Sequence, residues 1–328
     1  MPLSLSTRIE TWPLRTPFRI SRNTRSEVSV VVVELGGEGR AVGRGECVPY
    51  AHYGEQPRSV VDQIATVAPA IESGADRAAL QAMLPRGAAR NAVDSALWDL
   101  EAKRRGMRAW EIAGIPEPRP AGVYQTVSLA PPPEMAAAVR ALDGWPLLKL
   151  KVGPNDAVDC VQAVRLAVPT AGVIVDANEG WTMQMLVDAA PRLAALGVRM
   201  IEQPLPAGAD AELQGYRSPV PLGADESCHD RADLAKLVGR YAIVSIKLDK
   251  TGGLTEALLL ARAARDAGFR IMVSCMNSTS LAVAPATMLC DVAEIVDIDG
   301  PLWLAKDRVP GLDYSGARIH PPAAALWG

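Results

Sequence analysis

The sequence has few of the residues that would point to several common classes of protein. Its 328 residues include three histidines, two phenylalanines and five cysteines, and the cysteines form no Cys-x-x-Cys pair. The scarcity of histidine argues against a histidine-rich metal site and against a proton relay built on histidine. The odd number of scattered cysteines is typical of free thiols in a reducing compartment, so we expect a cytoplasmic protein without disulfides.

Long apolar runs and a strong charge of either sign are also missing. No segment approaches the roughly 18 consecutive apolar residues of a membrane span, and the first residues lack the pattern of a secretory signal. The formal net charge of −3 leaves no basic surface for nucleic acid or for an anionic membrane. Because 49% of the residues are hydrophobic, we expect a globular protein with a large core and with neither of these partners.

Two different patterns divide the chain. Residues 28–35 are an apolar, β-branched run that predicts a strand, and residues 55–113 have the periodicity of helices. The proline-rich stretch 115–120 interrupts this pattern. We therefore predict an N-terminal α+β domain at residues 1–117 and a second domain at residues 118–328.

Short apolar segments alternate with alanine-rich helical patterns through the second domain. The segments that predict strands are 123–129, 147–152, 173–178, 198–204, 220–226, 242–249, 270–276 and 294–299. Eight strands, each followed by a helical pattern, predict an α/β fold of the TIM-barrel type, with a barrel of about 200 residues. A doubly wound sheet is the rival architecture, but no Gly-x-Gly-x-x-Gly motif follows a first strand.

Ionisable residues recur at the carboxyl-terminal ends of these predicted strands. They are Lys149, Lys151, Asp176, Glu202, Asp225, Lys247, Asp297 and Asp299. A single acid at such a position is more often the N-cap of a helix than part of a site. Acids and lysines at the same end of consecutive strands are harder to explain in that way, because these ends converge on the active site of a barrel.

Three carboxylates on adjacent strands suit one hard divalent cation. Asp176, Glu202 and Asp225 would supply the oxygen ligands that Mg²⁺ prefers and would leave positions for substrate and water. A zinc ion would favour histidine or cysteine, and Cys228 with His229 is the less favoured alternative because a helix is expected to begin there. The pattern therefore predicts a magnesium site.

The lysines on strands two and six complete a chemical hypothesis. Lys151 and Lys247 would lie half a barrel apart, so one could remove a proton from a carbon atom and the other could return it to the opposite face. This arrangement inverts a stereocentre. We expect Lys149 and the cation to lower the pKa of the basic lysine, because neighbouring positive charge disfavours a second ammonium ion.

The motifs "KLKVG", "VDAN", "IEQP", "ADES" and "IKLDKTGG", in this order, resemble the enolase superfamily, specifically its muconate-lactonizing subgroup with a Lys-x-Lys motif. The resemblance runs over nearly the whole chain. It implies a capping α+β domain followed by a modified (β/α)7β barrel, with the C-terminal tail returning to the cap. It also implies one Mg²⁺ per subunit and a carbanion stabilised as an enediolate. In this pattern the metal ligands are Asp176, Glu202 and Asp225, the acid/base pair is Lys151 and Lys247, and Lys149 polarises the substrate carboxylate.

The residues that would bind substrate resemble those of dipeptide epimerases within this subgroup. The Asp297-x-Asp299 pair corresponds to the carboxylates that bind a free α-ammonium group. Arg25 corresponds to an arginine that pairs with the side chain of a C-terminal glutamate, with Arg22 as its competitor. We expect Thr126 on the first strand to contact the substrate.

Two further positions qualify this resemblance. The segment 49–56 resembles a mobile segment that closes over the site, and His52 within it is expected to be a lid residue and not a catalyst. Asn277 stands where an apolar residue is expected, so the preference for the first residue of the dipeptide could differ.

The resemblance thus implies a cytoplasmic, Mg²⁺-dependent isomerase that equilibrates L-Ala-L-Glu and L-Ala-D-Glu in the recycling of cell-wall peptidoglycan, with a homo-oligomer allowed. Within the subgroup, the alternatives are an N-acyl amino-acid racemase, an o-succinylbenzoate synthase or a muconate cycloisomerase. Outside it, the alternatives are a metal-free Schiff-base aldolase and a binding protein without activity.

Overall fold

The computed structural model describes residues 3–37 and 41–328. The first part of the chain forms strands β1 (Ser4–Arg19), β2 (Thr24–Gly36) and β3 (Gly43–Cys47) and helices α1 (Pro57–Glu72), α2 (Arg77–Met83), α3 (Ala88–Arg105) and α4 (Ala109–Ala113). The strands form one antiparallel sheet in the order β1-β2-β3. The prediction of strands followed by helices is confirmed.

Strand β2 is buried on both faces, which explains its continuous apolar sequence. Val31 and Val33 pack in a cluster with residues of α1 and α3. Val30 and Val32, on the other face because side chains alternate along a strand, join a cluster that contains barrel residues and Trp327 near the C-terminus. The cap is therefore joined to the rest of the molecule through an apolar face.

Glycine in β3 allows helix α3 to approach the sheet closely. A Cβ atom built on Gly43 would lie 2.1 Å from the backbone oxygen of Ala96, and one on Gly45 would lie 2.0 Å from that of Ala92. Neither separation is possible for a real side chain. These two glycines are thus required by the contact between helix and strand.

The second part of the chain is a parallel barrel. After a short strand β4 (Ala121–Gly122), its strands are β5 (Gln125–Val127), β6 (Leu147–Lys151), β7 (Gly172–Asp176), β8 (Val198–Glu202), β9 (Leu222–Ala224), β10 (Ile243–Ile246), β11 (Arg270–Ser274) and β12 (Ile295–Asp297). They pair side by side in chain order. A hydrogen bond of 2.8 Å from Tyr124 N to Val296 O links the first and last strands. All eight predicted strands are confirmed, at shorter lengths.

The helices that follow the strands are less regular than predicted. They are α5 (Pro132–Arg140), α6 (Ala157–Ala167), α7 (Met183–Ala195), α8 (Leu234–Leu237), α9 (Leu248–Thr251), α10 (Leu254–Asp266) and α11 (Ser280–Val283). Short 3₁₀ helices occupy Ala51–Tyr53, Asp210–Leu213, Arg231–Asp233, Ala284–Val292, Gly300–Trp303 and Ser315–Ala317. Within the described ranges, no helix combines the length and the apolarity needed to cross a membrane.

The barrel interior has an apolar layer below a polar one. The lower layer contains Tyr124, Leu147, Ile174, Met200, Ile243, Met272 and Ile295. Two residues further along the same strands, with the period of two that keeps side chains on one face, stand Thr126, Lys149, Asp176, Glu202, Ser245, Ser274 and Asp297. Leu148 and Leu150 point outward into the core between strands and helices. The alternation in "LLKLKV" thus separates an apolar outer face from a charged inner face.

The C-terminal segment returns to the cap. Strand β13 (Arg318–Ile319) pairs with β4, and the chain then runs to α3. The indole nitrogen of Trp327 donates to the backbone oxygen of Ser95 at 3.0 Å, and Gly328 N donates to Asp99 at 2.9 Å. The proline-rich stretch lies between α4 and β4, and a boundary between residues 117 and 118 stays a prediction.

Candidate active site

The carboxyl-terminal ends of the barrel strands enclose a polar pocket that the cap helps to cover. Its lining includes eight of the predicted site residues: Arg25, Thr126, Lys149, Lys151, Asp225, Lys247, Asp297 and Asp299. Asp176 and Glu202 lie beneath this lining, where the ammonium nitrogen of Lys149 is 3.1 Å from Asp176 and 2.8 Å from Glu202. The structure therefore brings all ten predicted site residues together.

The three predicted metal ligands stand on successive strands and are fully buried. Asp176 on β7 is the direct cross-strand partner of Glu202 on β8, and Asp225 follows β9, the next strand. In the described part of the chain, no three acidic, histidine or cysteine side chains are close enough together to hold a metal ion as they stand. Each of the three carboxylates has a lysine ammonium group beside it instead, with Lys149 at 2.8 Å from Glu202, Lys151 at 2.6 Å from Asp176 and Lys247 at 2.5 Å from Asp225.

Glu202 nevertheless has the properties expected of a carboxylate that receives a cation. Both of its side-chain oxygens are buried and lack a hydrogen-bond donor, since the Lys149 ammonium is near in distance but does not meet hydrogen-bond geometry. Burial, reinforced by the negative charge of Asp176, raises the pKa of Glu202 to about 8. The ion pair with Lys149 at 2.8 Å does not offset the cost of burying this carboxylate, and a divalent cation would lower that cost. The donor set thus fits a hard metal ion such as Mg²⁺.

The other two carboxylates are held ionised by lysines. Burial opposes the ionisation of Asp176, but the ammonium groups of Lys151 and Lys149 outweigh it and hold the pKa at about 2. Burial is likewise outweighed at Asp225, where Lys247 and Lys250 keep the pKa well below its ordinary value. Both groups are therefore carboxylates, the form that binds metal.

The two predicted acid/base lysines occupy opposite sides of the pocket. Lys151 ends β6, and Lys247 directly follows β10. The strands β7, β8 and β9 separate them, so the two lysines are half of an eight-stranded barrel apart. Lys151 donates to Asp176 at 2.6 Å and Lys247 to Asp225 at 2.5 Å.

The protein groups around Lys247 and Lys149 do not lower the pKa of either lysine, contrary to the expectation. Burial lowers the pKa of Lys247, but the carboxylate of Asp225 outweighs burial, and the net pKa lies above its ordinary value. The same balance raises the pKa of Lys149 well above its ordinary value, with Asp297 the largest of the carboxylate contributions. The expectation counted the positive neighbours and omitted the attraction of the carboxylates.

The aspartate pair predicted to bind an ammonium group is oriented by hydrogen bonds from neighbouring residues. Asp299 accepts hydrogen bonds from Thr126 N at 2.7 Å, from Gln125 Nε2 at 3.0 Å and from Trp303 Nε1 at 3.1 Å. Burial, reinforced by the charge of Asp297, raises its pKa to about 7. The hydroxyl of Thr126 reaches both aspartates, at 3.4 Å and 3.3 Å. Thr126 therefore orients the carboxylates that line the pocket.

The two competing arginines have different surroundings. Arg22 donates to Glu179 at 2.6 Å, to Glu226 at 2.7 Å and to the backbone oxygen of Asn178 at 2.8 Å. Its guanidinium is thus used in holding the cap loop to two barrel loops. Arg25 lies over the ring of Tyr50, 4.9 Å from its centroid, and lines the pocket without a carboxylate partner among the described residues.

The side chains of His52, His229 and Cys228 have neighbours other than the three predicted metal ligands. His52 lies 2.9 Å from Glu179, and its assignment as a lid residue stays a prediction. His229 packs against Tyr53 with ring centroids 4.7 Å apart, and its Nε2 lies 3.1 Å from the backbone oxygen of Glu226. Cys228 is buried in the barrel core. Asn277 does line the pocket, beside Cys275 and Met276.

Several supporting residues escaped sequence reasoning. Gln203 in "IEQP" accepts from the backbone nitrogen of Asp225 at 2.9 Å and donates to Tyr241 at 3.0 Å. Gln125 and Trp303 fix Asp299, as described above. The signal for Gln203 was its place next to Glu202, but buried amides of this kind are recognised only when their partners in space are known.

Both parts of the chain match family models. Residues 3–114 match "Mandelate racemase / muconate lactonizing enzyme, N-terminal domain", and residues 134–325 match "Enolase C-terminal domain-like". The chain therefore belongs to the mandelate racemase and muconate lactonizing enzyme family of the enolase superfamily. This confirms the resemblance of the motifs and the modified barrel with its cap.

Individual relatives are racemases and epimerases. The L-Ala-D/L-Glu epimerase of Escherichia coli (strain K12) is 49% identical over 313 residues, which are 95% of this chain and 97% of that protein. An N-acetyl-D-glutamate racemase of a Pseudoalteromonas species is 43% identical over 294 residues, which are 87% of this chain and 91% of that protein.

Solved structures point to the same group. An enolase family member from Agrobacterium tumefaciens with homology to dipeptide epimerases, solved with bound sodium and L-Ala-L-Glu, is 46% identical, covers 100% of both chains and superposes with a TM-score of 0.96. A dipeptide epimerase from Enterococcus faecalis, complexed with Mg and L-Leu-L-Tyr, is 25% identical over 99% of both chains with a TM-score of 0.91.

Proposed function

We propose that this protein is a Mg²⁺-dependent dipeptide epimerase, an isomerase that interconverts L-Ala-L-Glu and L-Ala-D-Glu. The observation that carries the proposal is the pair of lysines on opposite sides of one pocket, Lys151 and Lys247, with buried carboxylates between them. The identity of 49% to an L-Ala-D/L-Glu epimerase supports the same substrate.

The cation would be held by Asp176, Glu202 and Asp225. When bound, it would stabilise the negative charge that develops on the substrate carboxylate as the α-proton leaves. The family's dependence on Mg²⁺ and the Mg in the Enterococcus faecalis epimerase support this ion. The oxygens of Glu202, which accept no hydrogen bond although the Lys149 ammonium lies 2.8 Å away, support it from the side of this chain.

The two lysines would move the proton. In one direction, the neutral amine of one lysine accepts the α-proton and becomes an ammonium ion. The ammonium group of the other lysine donates a proton to the opposite face of the same carbon, which leaves the inverted centre. In the reverse reaction the two lysines exchange these roles, so that each lysine is the base for one epimer and the acid for the other.

The remaining residues would place the dipeptide. Asp297 and Asp299 would accept the hydrogen bonds of its α-ammonium group, and Lys149 would polarise its carboxylate. Arg25 would bind the glutamate side chain, since its guanidinium faces the pocket and Arg22 is engaged by barrel carboxylates. Asn277 lines the pocket. We expect it to influence which first residue of the dipeptide the enzyme prefers.

The test is isotope exchange in a substrate panel. Dipeptides and N-acetyl-glutamate are incubated with the enzyme and Mg²⁺ in D₂O, and the gain of one mass unit is followed together with chirality. We expect exchange and epimerisation of L-Ala-L-Glu and none after removal of the metal with EDTA. Activity that persists in EDTA, with substrate trapped by borohydride, would instead identify a Schiff-base enzyme.

A second candidate function is racemisation of N-acetyl-glutamate, favoured by the relative that is 43% identical. The aspartate pair argues against it, because an N-acyl group has no positive charge for Asp297 and Asp299 to bind. Faster exchange of N-acetyl-glutamate than of L-Ala-L-Glu would reverse this assignment.

For the cellular role, we infer that the enzyme acts in the cytoplasm on dipeptides released from peptidoglycan. The L-Ala-D-Glu sequence is a unit of that polymer, and the free cysteines support a reducing compartment. Accumulation of L-Ala-D-Glu in cells that lack the protein is the expected phenotype.

We also propose that the boundary between the cap domain and the barrel domain lies between residues 117 and 118.

A further inference from the structure

Lys250 is a buried cation that the proton-transfer scheme does not use. Its side chain has no exposed surface, and it lies in the motif "IKLDKTGG" three residues after Lys247. Its ammonium nitrogen contacts the side chain of Asp225 at 2.7 Å and the backbone oxygens of Cys228 at 2.8 Å and of Ser245 at 2.9 Å. The backbone oxygen of Asp225 is a fourth acceptor, at 2.5 Å.

The single turn of helix α9 explains why two lysines reach one carboxylate. Lys247 is its N-cap, and Lys250 lies one turn further on, so both side chains leave the same face. The left-handed Gly252, with φ of 78°, ends the turn.

The two lysines bind different oxygens of Asp225. Lys247, which lines the pocket, contacts Oδ2 at 2.5 Å, whereas Lys250 holds Oδ1 from the buried side at 2.7 Å. The backbone of the same residue is fixed separately, because its nitrogen donates to Gln203 at 2.9 Å. Lys250 therefore adds what the backbone contact cannot, namely a defined rotation of the carboxylate.

We propose that Lys250 is a positioning residue that makes Asp225 a one-oxygen ligand of the cation. The inference rests on the proposed function, because it takes Asp225 as a ligand. Because Oδ1 is held by a buried ammonium group, Oδ2, the oxygen that the pocket-lining Lys247 contacts, would be the one that binds the metal. Mg²⁺ requires near-octahedral geometry, whereas Ca²⁺ accepts two oxygens of one carboxylate. Lys250 thus selects the smaller ion.

The test measures metal binding without substrate. Wild-type protein and Lys250→Met are freed of metal, and the Kd values for Mg²⁺ and Ca²⁺ are measured by calorimetry. We expect the Mg²⁺ affinity of Lys250→Met to fall by about 10- to 100-fold, the range for partners that orient metal ligands. The Ca²⁺ affinity should fall less, so the ratio of the two Kd values shifts towards Ca²⁺. If Lys250 only stabilised the fold, its replacement would leave the ratio of the Kd values for Mg²⁺ and Ca²⁺ unchanged.

Two comparisons make the result specific. Lys103→Met is the matched control, since Lys103 pairs with buried Asp99 at 2.7 Å in the cap, and its metal affinities should equal those of wild type. In an Asp225→Asn background, the Lys250 substitution should produce no further loss of Mg²⁺ affinity, because its effect acts through that carboxylate. Additive losses would contradict the inference.

Folding is checked by circular dichroism in EDTA. If Lys250→Met does not fold, Lys250→Gln is used instead, because glutamine retains an N–H donor. Failure of both variants to fold would show that Lys250 is needed for stability and would overturn the positioning role. Wild-type Mg²⁺ affinity and ion preference in a folded variant would also overturn it. Absence of epimerisation with intact metal binding would refute the proposed function alone, and absence of any cation binding by wild type would refute both.

Discussion

The proposed proton transfer requires Lys151 and Lys247 to reach opposite faces of the same substrate carbon. Lys151 ends β6 and Lys247 directly follows β10, and these two strands are four positions apart in a ring of eight. Each lysine donates a hydrogen bond to a different carboxylate. A substrate held between them presents opposite faces to the two amines. Each lysine should therefore act on one epimer as the base and on the other as the acid.

Replacing either lysine by alanine tests this division of roles. We expect epimerisation by Lys151→Ala and by Lys247→Ala to fall by about 10²- to 10⁴-fold, the usual contribution of a positioned acid or base. Each variant should still exchange the α-proton of one epimer in D₂O, and the two variants should differ in which epimer it is. Near-normal turnover in either variant would refute the two-base scheme, and Lys103→Ala serves as the unaffected control.

The arginines give a second residue-scale prediction, concerning the substrate side chain. Arg25→Met should lower kcat/KM for L-Ala-L-Glu by about 10- to 100-fold, because a hydrogen bond between charged groups contributes about 1.5–3 kcal/mol. A dipeptide with an uncharged second residue, such as L-Ala-L-Met, should change little. Arg22→Met should affect both dipeptides alike, since Arg22 holds the cap loop. Equal losses for both dipeptides in Arg25→Met would argue against a contact with the glutamate carboxylate.

Among the elements, strand β3 and helix α3 approach each other so closely that a Cβ atom at Gly45 would lie 2.0 Å from the backbone oxygen of Ala92. Gly45→Ala should lower the free energy of unfolding by about 1–3 kcal/mol, because the new Cβ would meet a backbone oxygen that cannot move aside. The measurement is urea unfolding at equilibrium. Gly208→Ala is the matched control, since no atom lies within 4 Å of its added Cβ. Wild-type stability in Gly45→Ala would show that the helix shifts at little cost.

The barrel strands were predictable because the constraint on each is local. A strand with one face towards the barrel interior and the other under a helix must alternate between two kinds of side chain. The sequence "LLKLKV" shows this alternation of lysine and apolar residues. The irregular helices were not predictable in the same way. Helix α8 has four residues and is preceded by a 3₁₀ turn, and α9 is a single turn set by a glycine. Their lengths are decided by contacts with the pocket and the cap.

The site itself was predictable to the extent that residue type and strand register define it. The three acids, three lysines and two aspartates converge as expected. Their charge balance could not be derived from sequence, because the raised pKa of Lys247 depends on its separation from Asp225. The supports Gln203 and Lys250 were also missed, since their roles exist only in three dimensions.

For the whole molecule, the joining of cap and barrel determines whether the pocket is complete. The barrel carries both lysines, whereas Arg25 belongs to the cap. The shared apolar cluster and the returning C-terminal tail hold the two parts together, and Trp327 is 1% exposed at their junction. Loosening this junction should therefore weaken substrate binding before it alters proton transfer.

Trp327→Ala tests this view of the molecule. Loss of a buried tryptophan should lower the free energy of unfolding by about 3–5 kcal/mol, measured by urea unfolding. At temperatures where the variant is still folded, KM for L-Ala-L-Glu should rise more than kcat falls. The reason is that Arg25, the cap residue proposed to bind the side chain, would be displaced while the lysines stay in the barrel. Leu166→Ala, at a residue 80% exposed, should change stability by less than about 0.5 kcal/mol. An unchanged KM in Trp327→Ala, together with lowered stability, would show that the loops of the cap close over the pocket without help from the tail.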